Sequence, residues 1–253
     1  MKNNFKYRFE LYKQSLNTQK FMLLFALSII FAIYGVLALG FMDDYITGFL
    51  NVFTGSIYVA GILLILLLNT SNLFGIFESN PFYIIRFKTR KQYLIELVKT
   101  VLFSNLCTLL LNIILVVIGL NIFNKYDSTV TVMGYNFSPW IYITYMIIKF
   151  IILSSIISII TVFLFKILNK RIVIILNIIL YIFIAATPYS ATTITSITNL
   201  PLFIGTYFMK TSYSNFLFEI LCFLLYGGIL FVIVEVMKNI VLKRMKDVSQ
   251  WNM

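Results

Sequence analysis

Long apolar runs alternate with short polar segments along the chain. A hydrocarbon core of about 30 Å takes about 20 helical residues. Runs of that length occupy 21–40, 49–68, 101–123, 141–165 and 216–237, and a shorter one at 172–187 ends before Pro188. The pattern predicts six transmembrane helices, the fifth either less tilted than the others or set in a locally thinned bilayer. Residues 2–20 follow another rhythm: Phe5, Phe9, Tyr12 and Leu16 recur at helical spacing, while Lys6, Lys13, Asn17 and Lys20 fall largely elsewhere. That predicts an amphipathic helix lying on the membrane surface, with a basic unstructured tail as the alternative. The expected fold class is therefore an all-α integral membrane protein, with 1–253 forming a single transmembrane domain. Ala38-Leu39-Gly40 has the small-residue look of a signal-peptide cleavage site. The apolar run before it is longer than a typical signal core and more spans follow, so an uncleaved first span is expected.

Charge gives the spans a direction. The segment before the first span holds Lys2, Lys6, Arg8, Lys13 and Lys20, whereas the next loop holds only Asp43 and Asp44. Residues 80–99 carry Arg86, Lys88, Arg90, Lys91 and Lys99, and the loop after them only Lys125. Lys166, Lys170 and Arg171 come next, then a long segment with Lys210, then Lys238, Lys243, Arg244 and Lys246. This alternation places both termini in the cytoplasm. The net charge of +11, in a chain that is 60% hydrophobic, thus reads as membrane topology. No nucleic-acid-reading motif accompanies it, so no nucleic-acid partner is expected.

The chain has no histidine, and Cys107 and Cys222 lie inside apolar runs. That excludes His-assisted nucleophiles, the usual zinc sites and a disulfide framework. The acids form no paired catalytic set by spacing, and Asp43-Asp44 reads as a solvated turn, since hard cations need more oxygen ligands. Lys149 and Ser154 are spaced i, i+5, which puts them far apart around a helix and argues against a serine–lysine pair. No enzymatic activity, metal or cofactor is expected of this chain.

Polar residues within the spans are the remaining candidates. Asn105, Thr108 and Asn112 share one face of the third span, Ser154, Ser158 and Thr161 one of the fourth, and Asn177 and Tyr181 one of the fifth. They line a pathway or they hydrogen-bond helix to helix. Lys149, in the fourth span, and Glu219, in the sixth, both fall in the outer half; a charge there pairs or snorkels. Near the inner surface, Glu96–Lys99 and Glu235–Lys238 have helix-pair spacing.

The segment between the second and third spans has the most local detail. Ser79-Asn80-Pro81 is a helix-start pattern, and Thr89-Arg90-Lys91-Gln92 is a second one of the capping-box kind. They predict a short helix over Pro81–Phe87, a break near Lys88, and a helix from Arg90 straight into the third span. Phe82, Tyr83, Phe87 and Tyr93 could then dock on a protein; the alternative is a basic loop held at the lipid headgroups.

An interfacial helix, two spans, a basic elbow, two spans, a short basic turn and a Ser/Thr-rich segment before the last span together resemble the ABC-2 type permease family. Thr89-Arg90-Lys91-Gln92-Tyr93-Leu94 with Lys99 is similar to that family's short motif entering the third span. The resemblance implies the membrane half of an ATP-driven exporter in a bacterial plasma membrane. It makes Pro81, Phe82, Tyr83, Arg86, Phe87 and Arg90 the coupling site for an ATPase subunit, and Pro188–Asn215 either short extracellular helices or a re-entrant hairpin. No G-x-x-x-x-G-K-[ST] sequence occurs, so ATP and magnesium would bind a separate P-loop ATPase. The other implied partners are a second permease copy, more readily the same chain than a relative, the lipid bilayer, and an amphipathic peptide substrate such as a toxin. A bacteriocin-immunity permease and a non-transporting membrane scaffold or sensor are the alternatives.

Overall fold

The computed structural model describes residues 19–40, 45–54, 56–79, 89–123, 130–132, 135–137, 139–186 and 216–247. Helix α1 spans Gln19–Tyr34 and continues as a π-helical turn, Gly35–Leu39, closed by Gly40 N donating to the carbonyls of Gly35 and Val36. It is followed by α2 (Tyr45–Thr54), α3 (Ser56–Ser79), α4 (Arg90–Phe123), β1 (Val130–Val132), β2 (Tyr135–Phe137), α5 (Pro139–Ile167), α6 (Lys170–Ala186) and α7 (Phe216–Asp247). Among the described residues four helices are long and apolar enough to cross a membrane: Met22–Leu39, Ile57–Ser79, Lys91–Phe123 and Phe150–Ile167. The surface helix expected over 2–20 lies almost wholly outside the described residues. So do Asp43 and Asp44, the Pro81–Phe87 helix with its Pro81, Phe82, Tyr83, Arg86 and Phe87, and the outer segment Pro188–Asn215.

Several helix ends follow from local sequence chemistry. Thr89 caps α4: Gln92 N donates to Thr89 Oγ1 at 3.2 Å, as a T-x-x-Q box requires. Asn169 caps α6, its Oδ1 accepting from Arg171 N at 3.0 Å, so that only Leu168 and Asn169 separate α5 from α6. Proline opens α5 at a position where a missing N–H costs nothing.

The second apolar run departs from its expected form. Residues 49–68 do not form one helix: α2 ends at Thr54, and α3 carries on past Leu68 through Asn69-Thr70-Ser71-Asn72 to Ser79. That polar tetrad reads as the end of a span. It is tolerated inside a helix because neighbouring helices supply hydrogen-bond partners for the buried Asn69 amide nitrogen and Thr70 hydroxyl. Helix α2 is a separate element that turns Tyr45, Phe49, Val52 and Phe53 inward, all fully buried. Phe53 meets Tyr58 of α3 and Phe150 of α5 edge-on, at 5.6 and 5.7 Å between ring centres.

The fold is all-helical, as expected, apart from a short two-stranded antiparallel ribbon between α4 and α5. Val130 pairs with Phe137, Thr131 with Asn136 and Val132 with Tyr135. β-Branched residues opposite aromatics favour such pairing, and these residues sit in what reads as a plain connecting loop.

Helix α3 is the hub. Its apolar window is 72% buried, against 28% for those of α1 and α4, because α1, α4, α5 and α6 all pack on it. α7 rests mainly on α5 and leaves Leu224, Leu225, Ile229, Phe231 and Val232 exposed.

Candidate functional site

Two polar assemblies stand out in this helical frame, one inside the bundle and one at the basic ends of the helices.

The inner assembly is built around Asn105 of α4. Its Nδ2 donates to Thr70 Oγ1 of α3 at 2.9 Å and to Ser158 Oγ of α5 at 2.8 Å. Its Oδ1 accepts from Asn69 Nδ2 of α3 at 2.8 Å, and the same Asn69 nitrogen reaches Ser104 Oγ at 2.9 Å. Ser158 passes its own proton to the Ser154 carbonyl at 2.7 Å. Two turns further along α4, Asn112 Oδ1 accepts from Tyr58 OH of α3, and its Nδ2 donates to the Ser28 carbonyl of α1 at 2.9 Å. One face of α4 therefore bonds to α3 and α5 through Asn105 and to α3 and α1 through Asn112.

The other stripe residues bond within their own helices. Thr108 donates to the Ser104 carbonyl, Ser154 to that of Ile151, Thr161 to that of Ile157, and Asn177 to that of Val173, while Tyr181 donates to Asn177 Oδ1. Lys149 and Glu219 belong to α5 and α7, which pack on one another; their side chains lie outside what the structure describes. The sequence reading missed Tyr58 and Ser104, and also Asn69 and Thr70, which both fell beyond the expected end of the second span.

The outer assembly gathers where α3 ends and α4 begins, on either side of residues 80–88. Glu78, in the last turn of α3, accepts a hydrogen bond from Tyr93 OH of α4 at 2.9 Å and pairs with Lys166 from the last turn of α5. The Lys166 ammonium also sits 4.8 Å from the centre of the Tyr93 ring and 5.2 Å from that of Phe74. Its side chain is only 12% exposed, so the charge is held mostly by protein. One turn on, Lys170 at the start of α6 donates to the Ser71 carbonyl of α3 at 2.7 Å. It fits because Gly75 has no side chain: a carbon there would lie 3.2 Å from the ammonium. Arg244 of α7 donates to the Ile167 carbonyl at the end of α5. Cations near the carboxyl ends of α3 and α5 complement the helix dipoles.

The basic residues counted as topology signals thus also tie helix ends together. Glu96–Lys99, at 3.7 Å, and Glu235–Lys238 form as their spacing suggests. Arg90 is the first residue of α4. Glu78 was overlooked as a site residue; the available signal was that it is the lone acid between Asp44 and Glu96, in a stretch otherwise rich in cations.

The chain matches no family model, no curated protein and no solved structure.

Proposed function

We propose that this chain is the membrane-spanning permease subunit of an ATP-driven exporter. In this reading residues 80–88 take up work from a separate P-loop ATPase, and α4 conveys it into the bundle. The supporting observation is that the residues flanking 80–88 form a defined structure. α3 ends in Glu78 and Ser79, α4 starts on a capped Thr89, and Tyr93 and Lys166 hold both flanks together. A loop that served only to face headgroups would need cations but no such base. The aromatics Phe82, Tyr83 and Phe87, with Arg86 between them, have the composition of a protein-contact core.

The proposed membrane arrangement has six spans, adding α6 and α7 to the four long apolar helices, with both termini cytoplasmic. It is supported by the gathering of basic residues from the carboxyl ends of α5 and α7 and the amino end of α6 near the α3–α4 junction. α6, at 17 residues, is about 26 Å long at 1.5 Å per residue, slightly short of the hydrocarbon core. With Cys107 and Cys222 replaced, new cysteines at Asp44, Lys125 and Thr195 should react with an impermeant thiol reagent outside intact cells. Cysteines at Lys13, Lys88 and Lys170 should stay unlabelled. Labelling at Lys88 from outside would overturn the arrangement.

The substrate class proposed is an amphipathic peptide, carried by two copies of this chain working with an ATPase dimer. Self-protection against a bacteriocin would use the same machinery. The competing reading, a non-transporting scaffold, is favoured by the pairing of the buried amides between helices. The two part on one experiment. The double change Phe82→Ala and Phe87→Ala keeps every cation, so insertion, checked by outside labelling at Lys125→Cys, should be normal. ATPase retained per chain on purification should fall, with a binding loss of about 2 kcal/mol if these are anchors. Normal insertion with the ATPase retained at the parent ratio, or no ATPase held by the parent, would overturn the coupling assignment.

A further inference from the structure

Lys166 comes from α5, yet the groups that surround it belong to the flanks of residues 80–88. Glu78 and Phe74 lie before that segment and Tyr93 after it, and Lys166 Nζ is 3.4 Å from the Tyr93 hydroxyl. The lysine is thus a plug from one helix in a socket built by two others. The socket is closed on itself, because Tyr93 donates to the same carboxylate oxygen that Lys166 pairs with. Behind it Phe77 and Tyr93 pack edge-on at 6.2 Å, both fully buried.

From this we infer that Lys166 is a positioning residue that makes α5 move together with the flanks of residues 80–88. Displacement of those residues then reaches two helices, α4 through the continuous chain and α5 through the plug. The inference rests on the exporter reading for its purpose, while the socket itself is a property of the chain alone. The inner assembly extends the connection: Asn105 of α4 and Ser158 of α5 are bonded to each other deeper in the bundle. α4 and α5 are therefore joined at two levels, and removing Lys166 should leave only the deeper one.

The test uses the full chain in lipid nanodiscs with Cys107 and Cys222 replaced. Spin labels go on Lys91→Cys in the first turn of α4 and Leu168→Cys just past α5, both exposed. Their separation is measured by electron–electron resonance, with and without the co-purified ATPase and a non-hydrolysable ATP analogue. The parent should show one narrow separation that nucleotide does not change. Lys166→Met should broaden the distribution without nucleotide and make it shift when nucleotide is added. Lys166→Arg should restore the parent behaviour, because it keeps a cation against Glu78 and the two rings. A purely structural role would lower the thermal midpoint of Lys166→Met and leave the nucleotide response absent, which overturns the inference. So would a Lys166→Met distribution as narrow as the parent's. If no ATPase co-purifies, the exporter reading fails, and the width measured without nucleotide still decides whether Lys166 joins the helices.

Discussion

Asn105→Ala is expected to lower the stability of the chain by about 2 kcal/mol, from three interhelical hydrogen bonds at roughly 0.6 kcal/mol each. Asn105→Asp should cost more. It keeps the shape but loses both donors, leaving Thr70 Oγ1 and Ser158 Oγ facing a carboxylate, and Ser158 already gives its proton to the Ser154 carbonyl. A carboxylate in the middle of a membrane helix adds a further ~2.5–3.5 kcal/mol. Thr108→Ala is the control: that hydroxyl reaches only the Ser104 carbonyl of its own helix, so the change should stay within about 0.5 kcal/mol. Denaturant titration of the purified chain in detergent micelles measures all three. The comparison also addresses what the polar stripe does. If Asn105 faced an open pathway, Asn105→Ala would leave unfolding unchanged and alter only export.

The third-span stripe shows how far sequence reaches. Asn105, Thr108 and Asn112 were legible as one face because a helical period is a local property. Their partners were not, because partnership depends on which helices pack together. The main donor to Asn105, Asn69, sits in a tetrad that hydropathy assigns to a loop. Only the neighbouring helices make it acceptable within one, so the same residues that hid the true extent of α3 also hid its role as hub. The start of α4 was legible to the residue, because a capping box satisfies orphan backbone groups with side chains two or three positions away. The Lys166 socket was not legible: Glu78 and Lys166 are far apart in sequence and each reads as an ordinary inner-surface charge. The i, i+3 pairs at Glu96–Lys99 and Glu235–Lys238 mark the boundary, since their geometry is set by one helix alone.

Gly61→Ala should be destabilising, by roughly 1–3 kcal/mol, although the same change in an open helix is favourable. Gly61 lies on the hub helix α3, and a carbon added to it would fall under 3.0 Å from the Phe31 ring of α1. Phe31 is itself half-buried and packed on the core, so its ring gives way only by opening the α1–α3 seam. The sign of the effect carries the information. Alanine is better than glycine in a helix by about 1 kcal/mol, so a loosely packed seam would turn Gly61→Ala into a stabilising change. Gly227 on α7 offers the contrast within the same chain: an added carbon there meets nothing within 4 Å, and Gly227→Ala should gain up to that ~1 kcal/mol. Removing the ring by Phe31→Ala is costly alone but clears the space. In that background Gly61→Ala should change from unfavourable to neutral or favourable, giving a coupling between the two sites well above the ~0.5 kcal/mol seen for independent positions. Equal effects of Gly61→Ala with and without the Phe31 ring would mean that the ring does not lie in the notch. The α1–α3 packing would then differ from the one in which the Phe31 ring fills the Gly61 notch.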